Sequence, residues 1–318
     1  MAQVHLFEND SVIRGVKSGD DAGVFRISAE LALVQTVDVF TPVVDEPIEF
    51  GGISAANSFS DCYAMGATPV SCLSIMVVPT AGFPAGVAEE ILKGADEVCR
   101  EAGAPIIGGH TLKLPEPAFG LAVTGIVNPE EVITLSSARV GDKLVLTKPI
   151  GSGIITTCAK RGTCSHEIIS EAIRVMRCLN KGASDAMKNL KRVSATDVTG
   201  FGLLGHLYHI LSASAVSAEI FFSEIPLLPG VLEHAEENSP GGTYSNLAYA
   251  EGFTDFTVLS MREKLVLCDA QTSGGLLISC GPDEVETLLS ELKANNTPCA
   301  SVIGEITEGV PPKVTIHP

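Results

Sequence analysis

Several aspartates in this chain have the type and setting of metal ligands. Asp61 lies in the stretch 50–69, F-G-G-I-S-A-A-N-S-F-S-D-C-Y-A-M-G-A-T-P, which is rich in glycine, alanine and serine. Such small side chains predict a helix that packs closely against other backbone and ends near Gly66. Asn57 lies four residues before Asp61 and shares its face. A carboxylate on so apolar a helix is costly to bury without a cation, so we expect a positive partner there.

Four other aspartates, at three places in the chain, could gather with Asp61. Asp20 and Asp21 lie in a turn before a predicted strand, Asp38 lies near the end of the next strand, and Asp197 lies at the start of a predicted helix. Each has an ordinary alternative explanation: an acidic turn, a strand-end residue in water, or a helix cap. Together they offer the oxygen ligands that Mg²⁺ requires. We therefore interpret them as residues that hold Mg²⁺ and, through it, the phosphates of ATP.

A glycine-rich segment, Gly108-Gly109-His110-Thr111, follows a short strand predicted at 105–108. Glycines let a backbone approach a phosphate closely, but a plain turn is the better explanation of this segment taken alone. His110 by itself is typical of a structural hydrogen-bonding residue. The P-loop pattern G-x-x-x-x-G-K-[ST] and the pattern G-x-G-x-x-G do not occur, so any ATP site is of another kind.

The composition limits the functional classes. The chain has 318 residues, 45% of them hydrophobic, a mean hydropathy of +0.30 and a formal net charge of −17. This charge opposes binding to nucleic acid and to anionic membranes. Nine cysteines without a C-x-x-C pair argue against a disulfide framework and a zinc ribbon, and they favour reduced thiols in the cytoplasm. The sequence shows no signal segment and no membrane-spanning run.

Hydrophobic patterning predicts an α+β chain of two domains, 1–138 and 139–318. Residues 4–16 show neither helical nor strand periodicity in their hydrophobic residues and are predicted to form a loop. Residues 18–40 predict a turn and two strands arranged as a hairpin or meander. The other predicted elements are strands at 70–78 and 119–127, a helix that follows Pro84 and is capped by Gly103, and helices at 166–189, 203–214 and 283–295.

Seven segments of the sequence, taken in order, resemble one family. They are G-D-D-A (19–22), T-V-D-V-F-T-P-V-V-D (36–45), S-F-S-D-C-Y-A-M-G-A-T-P (58–69), G-G-H-T (108–111), T-D-V-T-G-F-G-L-L-G-H-L (196–207), P-G-G-T (240–243) and C-D-A-Q-T-S-G-G-L-L (268–277). The set is similar to the selenophosphate synthetase (selenide, water dikinase) family, in the ATP-binding superfamily that includes aminoimidazole ribonucleotide synthetase. The resemblance extends from about Gly15 to the C-terminus.

The resemblance implies a reaction in which ATP, selenide and water give selenophosphate, AMP and phosphate. It implies a two-domain synthetase of the aminoimidazole ribonucleotide synthetase-like type, a homodimer in which the N-terminal domains contribute strands to a β-barrel. It assigns Asp21, Asp61 and Asp197 as Mg²⁺ ligands. It assigns as ATP-contacting residues Ser18, Gly19, Asp20, Asp38, Asp61, Gly109, His110 and Thr111.

The chain departs from the family in one serious respect, and in a smaller one at Ala270, where a Pro is usual after C-D. Family members carry a glycine-rich segment with a catalytic Cys or selenocysteine and, three residues later, a Lys; nothing like it precedes Asp20, and Lys17 lies too close to the Asp pair. No catalytic residue is therefore assigned. We favour a chain shortened at a selenocysteine codon, with weak or absent turnover as given, over a genuine short paralogue that only binds Mg-nucleotide.

Other members of the superfamily provide further alternatives. A small-molecule kinase, such as a thiamine-phosphate kinase, would change the substrate. The hydrogenase-maturation relative is disfavoured because it carries its working cysteine at the C-terminal end, whereas this chain finishes at Thr315-Ile316-His317-Pro318.

Overall fold

Two β-sheets, one from each half of the chain, form the framework of the protein. A computed structural model describes residue 7 and residues 9–318. The first half contains β1 (Val12–Arg14), β2 (Gly23–Arg26), β3 (Ala32–Phe40), α1 (Pro47–Ala64), β4 (Thr68–Pro79), α2 (Val87–Ala102), β5 (Ile106–Leu114) and β6 (Ala118–Val127).

The first sheet has the strand order β1-β2-β3-β6-β4-β5. β2 and β3 form the predicted antiparallel hairpin, and β5 is a parallel edge strand beside β4. Because side chains alternate across a strand, one face of the sheet carries the buried residues that pack on the helices. The opposite face exposes large apolar side chains, including Val37, Val39 and Leu73.

Helix α1 approaches α2 as closely as glycine permits. A Cβ atom at Gly51 would lie 1.9 Å from the carbonyl oxygen of Ile91, and one at Gly94 would lie 1.9 Å from that of Ile48. Each helix thus contributes one glycine that lets the backbone of the other helix come into contact with it. This arrangement confirms the close packing predicted for residues 50–69, and Gly103 ends α2 in the left-handed conformation, as predicted.

The second half begins after two short 3₁₀ turns, Pro129–Glu131 and Leu135–Ser137. Its seven-stranded sheet has the order β10-β13-β9-β12-β7-β11-β8, and a third 3₁₀ turn occurs at Phe222–Glu224. Its elements are β7 (Lys143–Leu146), α3 (Ser152–Arg161), α4 (His166–Arg177), α5 (Lys181–Met187), β8 (Val193–Asp197), α6 (Gly202–Ser214), β9 (Ser217–Phe221), α7 (Val231–Asn238), α8 (Gly241–Ala250), β10 (Thr254–Asp255), α9 (Met261–Leu267), β11 (Leu276–Cys280), α10 (Val285–Ala294), β12 (Ser301–Thr307) and β13 (Val314–His317).

Helix α1 also connects the two halves. Arg177 of α4 donates hydrogen bonds to Glu49 of α1 at 2.8 Å and to Glu97 of α2 at 2.9 Å. Deeper in the junction, Asn180 Nδ2 donates to Ser60 Oγ of α1 at 2.9 Å. Since β8 packs on the same helix, the end of this strand lies next to the polar face of α1. The fold therefore carries Asp197 toward Asp61.

Several predicted elements were wrong in detail. Residues 108–111 lie inside β5, which continues to Leu114 because it pairs with β4 along its length. Residues 166–189 form two helices, α4 and α5, and α3 was not predicted. Asp197 ends β8 and does not cap α6, which begins at Gly202. The loop predicted at 4–16 contains β1; its residues 4–6 and 8 lie outside the described part of the chain.

The prediction of uniformly reduced thiols was also wrong for one pair. Cys158 and Cys164 are joined by a disulfide, while the other seven cysteines are free. The two cysteines are only six residues apart. An odd total of nine cysteines does not reveal whether one such local pair forms a disulfide. Among the described residues, no helix is long and apolar enough to cross a membrane.

Candidate active site

Three aspartates from distant parts of the sequence meet beside α1. Asp21 enters from the turn before β2, Asp61 from the last turn of α1, and Asp197 from the end of β8. Carboxylate oxygens of Asp21 and Asp197 lie within 4.8 Å of each other and of a ring nitrogen of His206. Asp61 interacts electrostatically with both of the other carboxylates. The residues predicted as a metal site are therefore brought together.

Hydroxyl groups orient these carboxylates. Thr196 Oγ1 donates to Asp21 at 2.7 Å, and Thr36 Oγ1 on β3 donates to Asp61. The Ser60 side chain, one residue before Asp61, lies close enough to Asp197 to lower the pKa of its carboxyl group. One oxygen remains unsatisfied: in the described part of the chain, Asp197 Oδ2 is buried and has no hydrogen-bond partner. A buried orphan oxygen is costly, so this atom points to a cation as its missing partner.

The electrostatics of the cluster favour a bound cation. Burial, followed by the charge of Asp197, raises the pKa of both Asp21 and Asp61 well above the ordinary value. Burial also raises the pKa of Asp197 to about 6, with the charge of Asp38 adding to the effect, while the nearby Ser60 side chain and the Lys148 ammonium oppose it. Like charges held together in a partly buried site favour either protonation or a cation. A divalent ion relieves this repulsion without protonating the ligands.

Asp38 lies at the edge of the cluster and is held by Asn57 of α1, whose side chain is in turn fixed by the second half of the chain. Asn57 Nδ2 donates to Asp38 Oδ2 at 3.0 Å, and Asn57 Oδ1 accepts from the backbone N–H of Ser273 at 2.9 Å. The buried Lys148 Nζ donates to the carbonyl oxygen of Ser273 at 2.8 Å. The turn 271–275, part of the last of the seven family segments, thus fixes the amide that orients Asp38.

The remaining residues before β2 have different surroundings. Asp20 accepts from the backbone N–H of Leu135 at 3.0 Å and forms an ion pair with Arg14 at 3.4 Å, so its carboxylate is already engaged. Ser18 is exposed. Gly19 is also exposed, with a φ of +70°, and a Cβ atom added to it would meet nothing within 4 Å. The backbone at Gly19 is therefore open to a ligand that approaches Asp21.

Gly109, His110 and Thr111 are not part of the aspartate cluster within one chain. Gly109 pairs with Ser74 of β4, which pairs with Leu121 of β6, which in turn pairs with Asp38 of β3. Three strand spacings of about 4.8 Å separate Gly109 from Asp38 by roughly 14 Å. All three residues are exposed on the edge strand.

His206 is a site residue that was not predicted from the sequence. Its Nε2 accepts from the backbone N–H of Thr199 at 3.1 Å and of Phe201 at 3.4 Å, so the ring proton belongs on Nδ1, which faces Thr196 Oγ1 at 3.5 Å. Burial lowers the pKa of His206 to about 3, which keeps the ring neutral. A histidine in the apolar run G-L-L-G-H-L, nine residues after Asp197, was the available signal.

Comparison with known proteins agrees with this architecture. The family model for the N-terminal domain of AIR synthase related protein matches residues 19–127, and that for its C-terminal domain matches residues 139–317. The selenide, water dikinase of Caldanaerobacter subterraneus subsp. tengcongensis is 43% identical over 97% of this chain and 89% of its own length. That of Myxococcus xanthus is 45% identical over 93% of this chain and 85% of its own.

The chain belongs to the selenide, water dikinase family. Solved structures with lower identity share the fold of this dikinase. A thiamine-monophosphate kinase from Stenotrophomonas maltophilia superposes with a TM-score of 0.70 at 20% identity, covering 96% of this chain and 92% of its own. A HypE–HypF complex gives 0.72 at 19% identity, covering 98% and 93%. The predicted two-domain α+β fold of the aminoimidazole ribonucleotide synthetase-like type is thereby confirmed.

Proposed function

We propose that this dikinase makes selenophosphate from selenide, with ATP and water as the other substrates and AMP and phosphate as the other products. Support comes from relatives that carry the dikinase name and are at least 43% identical over more than nine-tenths of the chain. The observation that carries the proposal is the convergence of Asp21, Asp61 and Asp197, with the unsatisfied Asp197 Oδ2 among them.

The three carboxylates fit Mg²⁺. They supply only oxygen donors, and a small divalent ion held by a few carboxylates keeps coordination positions for substrate phosphates. Bound there, Mg²⁺ would neutralise the triphosphate and stabilise charge on the leaving oxygens. Thr36 and Thr196 would hold two of the ligands in place, as partners of metal-binding carboxylates do.

ATP would lie along the edge of this cluster. The open backbone at Ser18, Gly19 and Asp20 would approach the phosphates, and Asp38 and Asp61 would complete the contacts. Because the chain carries a net charge of −17, an ATP polyanion is repelled at long range, and binding should depend strictly on the divalent ion.

In a homodimer, the partner copy would bring its own residues 109–111 to the ATP site. Gly109, His110 and Thr111 are too far from Asp38 to reach the same triphosphate, so a second copy would have to present its β5. The apolar face with Val37 and Leu73 is the kind of surface that a second copy would cover to build a shared barrel. We place the enzyme in the cytoplasm, where its seven free thiols would persist.

The test combines a binding assay with a turnover assay. Isothermal calorimetry measures binding of a non-hydrolysable ATP analogue with and without Mg²⁺. Phosphorus NMR then follows ATP and selenide with two forms of the protein, the 318-residue chain and a form with a glycine-rich leader carrying Cys and Lys fused before Gly15. Asp61→Asn and Asp197→Asn in the leader form are the variants.

We expect Mg²⁺-dependent binding by both forms and selenide-dependent AMP and selenophosphate from the leader form, lost in both variants. Formation of ADP without selenophosphate would contradict the proposed reaction and favour a small-molecule kinase. Mg²⁺-dependent binding without turnover by either form would favour a nucleotide-binding paralogue instead.

A further inference from the structure

A second cluster of ligand-type side chains lies in the C-terminal half. One sulfur each from Cys158 and Cys164 and one ring nitrogen of His234 all lie within 4.8 Å of one another. Cys158 is buried, whereas Cys164 and His234 are half-buried. Among the described residues, none of the three forms a hydrogen bond with Asp21, Asp61 or Asp197, so the cluster is separate from the candidate active site.

The local structure sets these side chains in place. Helix α3 ends at Gly162, whose φ of +68° turns the chain back over the last helical turn. The backbone N–H of Thr163 then donates to the carbonyl oxygen of Cys158 at 3.1 Å, which brings Cys164 over Cys158. The cluster is thus built from the C-terminal end of a helix and the turn that follows it.

Helix α7 supplies the histidine. α7 packs against α3, and Arg161 Nη1 at the end of α3 donates to the carbonyl oxygen of Glu237. One turn after His234, Asn238 Oδ1 lies 3.4 Å from Thr163 Oγ1, which itself lies 3.1 Å from Cys158 Sγ. These contacts fix the separation of the histidine from the two cysteines.

The donor set has a clear chemical preference. Two thiolates and an imidazole suit Zn²⁺, which binds sulfur at about 2.3 Å and nitrogen at about 2.0–2.1 Å in tetrahedral geometry. Thiolates on one such ion lie about 3.7 Å apart, as those bond lengths require. The Cα atoms of Cys158 and Cys164 are 5.5 Å apart, a separation that suits a disulfide and also two thiolates sharing one ion.

We propose that the reduced protein binds one Zn²⁺ ion through Cys158, Cys164 and His234, and that the disulfide is the oxidised, metal-free form of the same site. A dithiol reductant passes two electrons to the disulfide and is itself oxidised to a cyclic disulfide, leaving two thiols. Binding of Zn²⁺ then releases both thiol protons to solvent, and the half-buried side of the cluster leaves the fourth position to water.

Cobalt provides a probe that distinguishes this site from the aspartates. The full 318-residue protein is reduced with a dithiol, stripped with a chelator, desalted anaerobically and titrated with Co²⁺. Thiolate ligation gives a ligand-to-metal charge-transfer band and intense tetrahedral d–d bands, whereas Co²⁺ on carboxylates gives neither. We expect both features to saturate at one equivalent of Co²⁺ and to disappear when Zn²⁺ is added.

Two variants remove proposed ligands, and a third serves as a control. Cys164→Ser should abolish the charge-transfer band of the bis-thiolate site, and His234→Gln should weaken Co²⁺ binding about tenfold or more, since it removes one of three protein ligands. Cys178→Ser, which changes a free half-buried cysteine elsewhere in the same half, should leave the spectrum unchanged. Circular dichroism confirms that each variant is folded.

Three results would overturn the proposal. One is a reduced, folded protein that shows no thiolate band with Co²⁺. Another is a spectrum that survives in both Cys164→Ser and His234→Gln. The third is a disulfide that resists the dithiol in the folded protein, which would make the pair a permanent cross-link.

Discussion

Replacement of Asp197 by asparagine should stabilise the metal-free protein and abolish its response to Mg²⁺. The buried Asp197 carboxylate has a pKa of about 6, against an ordinary value of 3.8. Because the folded-state pKa is raised, the stability linked to this group is fully present below pH 3.8 and is lost as the pH rises through 6. A neutral amide of the same shape does not incur this loss.

The size of the effect follows from the pKa difference. At 1.36 kcal/mol per unit, ionising Asp197 in the folded state costs about 3 kcal/mol at pH 8 and about half of that at pH 5. The metal-free variant should therefore unfold several degrees above the wild type at pH 8, with a smaller gap at pH 5. Addition of Mg²⁺ should raise the unfolding temperature of the wild type alone.

Scanning calorimetry in chelator and in Mg²⁺, at both pH values, measures these shifts. Asp142→Asn is the matched control, because Asp142 is equally buried but pairs with Arg192 at 2.5 Å. Its loss leaves the arginine without its partner and should destabilise by about 3 kcal/mol. If Asp197→Asn also destabilises the metal-free protein at pH 8, the carboxylates are not held in repulsion and the reasoning fails.

Three further predictions concern metal affinity, helix packing and assembly. Mn²⁺ affinity, measured by calorimetry, should fall by up to about one decade per pH unit and per displaced proton as the pH drops from 7.5 to 5.5, because protons compete for carboxylates with raised pKa; a flat profile would contradict this. Gly51→Ala should cost about 3 kcal/mol or more in urea unfolding, since its Cβ would meet the carbonyl oxygen of Ile91, while Gly242→Ala, with open space around it, should be neutral or slightly stabilising. Leu73→Glu should yield monomers in light scattering if the apolar sheet face is the dimer interface; an unchanged mass would place the interface elsewhere.

Local patterns were sufficient to predict much of the framework. Small residues at 50–69 predicted a closely packed helix, and Gly51 against Ile91 shows why only glycine fits. The polar face of that helix predicted that Asp61 would need partners, and β8 delivers Asp197 to it. Both predictions were possible because the residues next to each position in the sequence show that it lies on a closely packed, apolar helix.

Other features depend on contacts that no local pattern encodes. Thr36 and Thr196 look like ordinary strand residues until the fold places their hydroxyls on Asp61 and Asp21. The segment that contains His110 was predicted as a turn because its glycines suggested a break, whereas pairing with β4 keeps it extended. At such positions, pairing with a strand distant in sequence determines the backbone conformation, and local turn propensity does not.

Crystals grown with Mn²⁺ and a non-hydrolysable ATP analogue would show directly which side chains hold the metal. An anomalous difference map should place Mn²⁺ within coordination distance of Asp21, Asp61 and Asp197, with analogue phosphates on the same ions. Mn²⁺ bound elsewhere, with these three carboxylates hydrogen-bonded to one another or to water, would show that the aspartates are not the metal ligands.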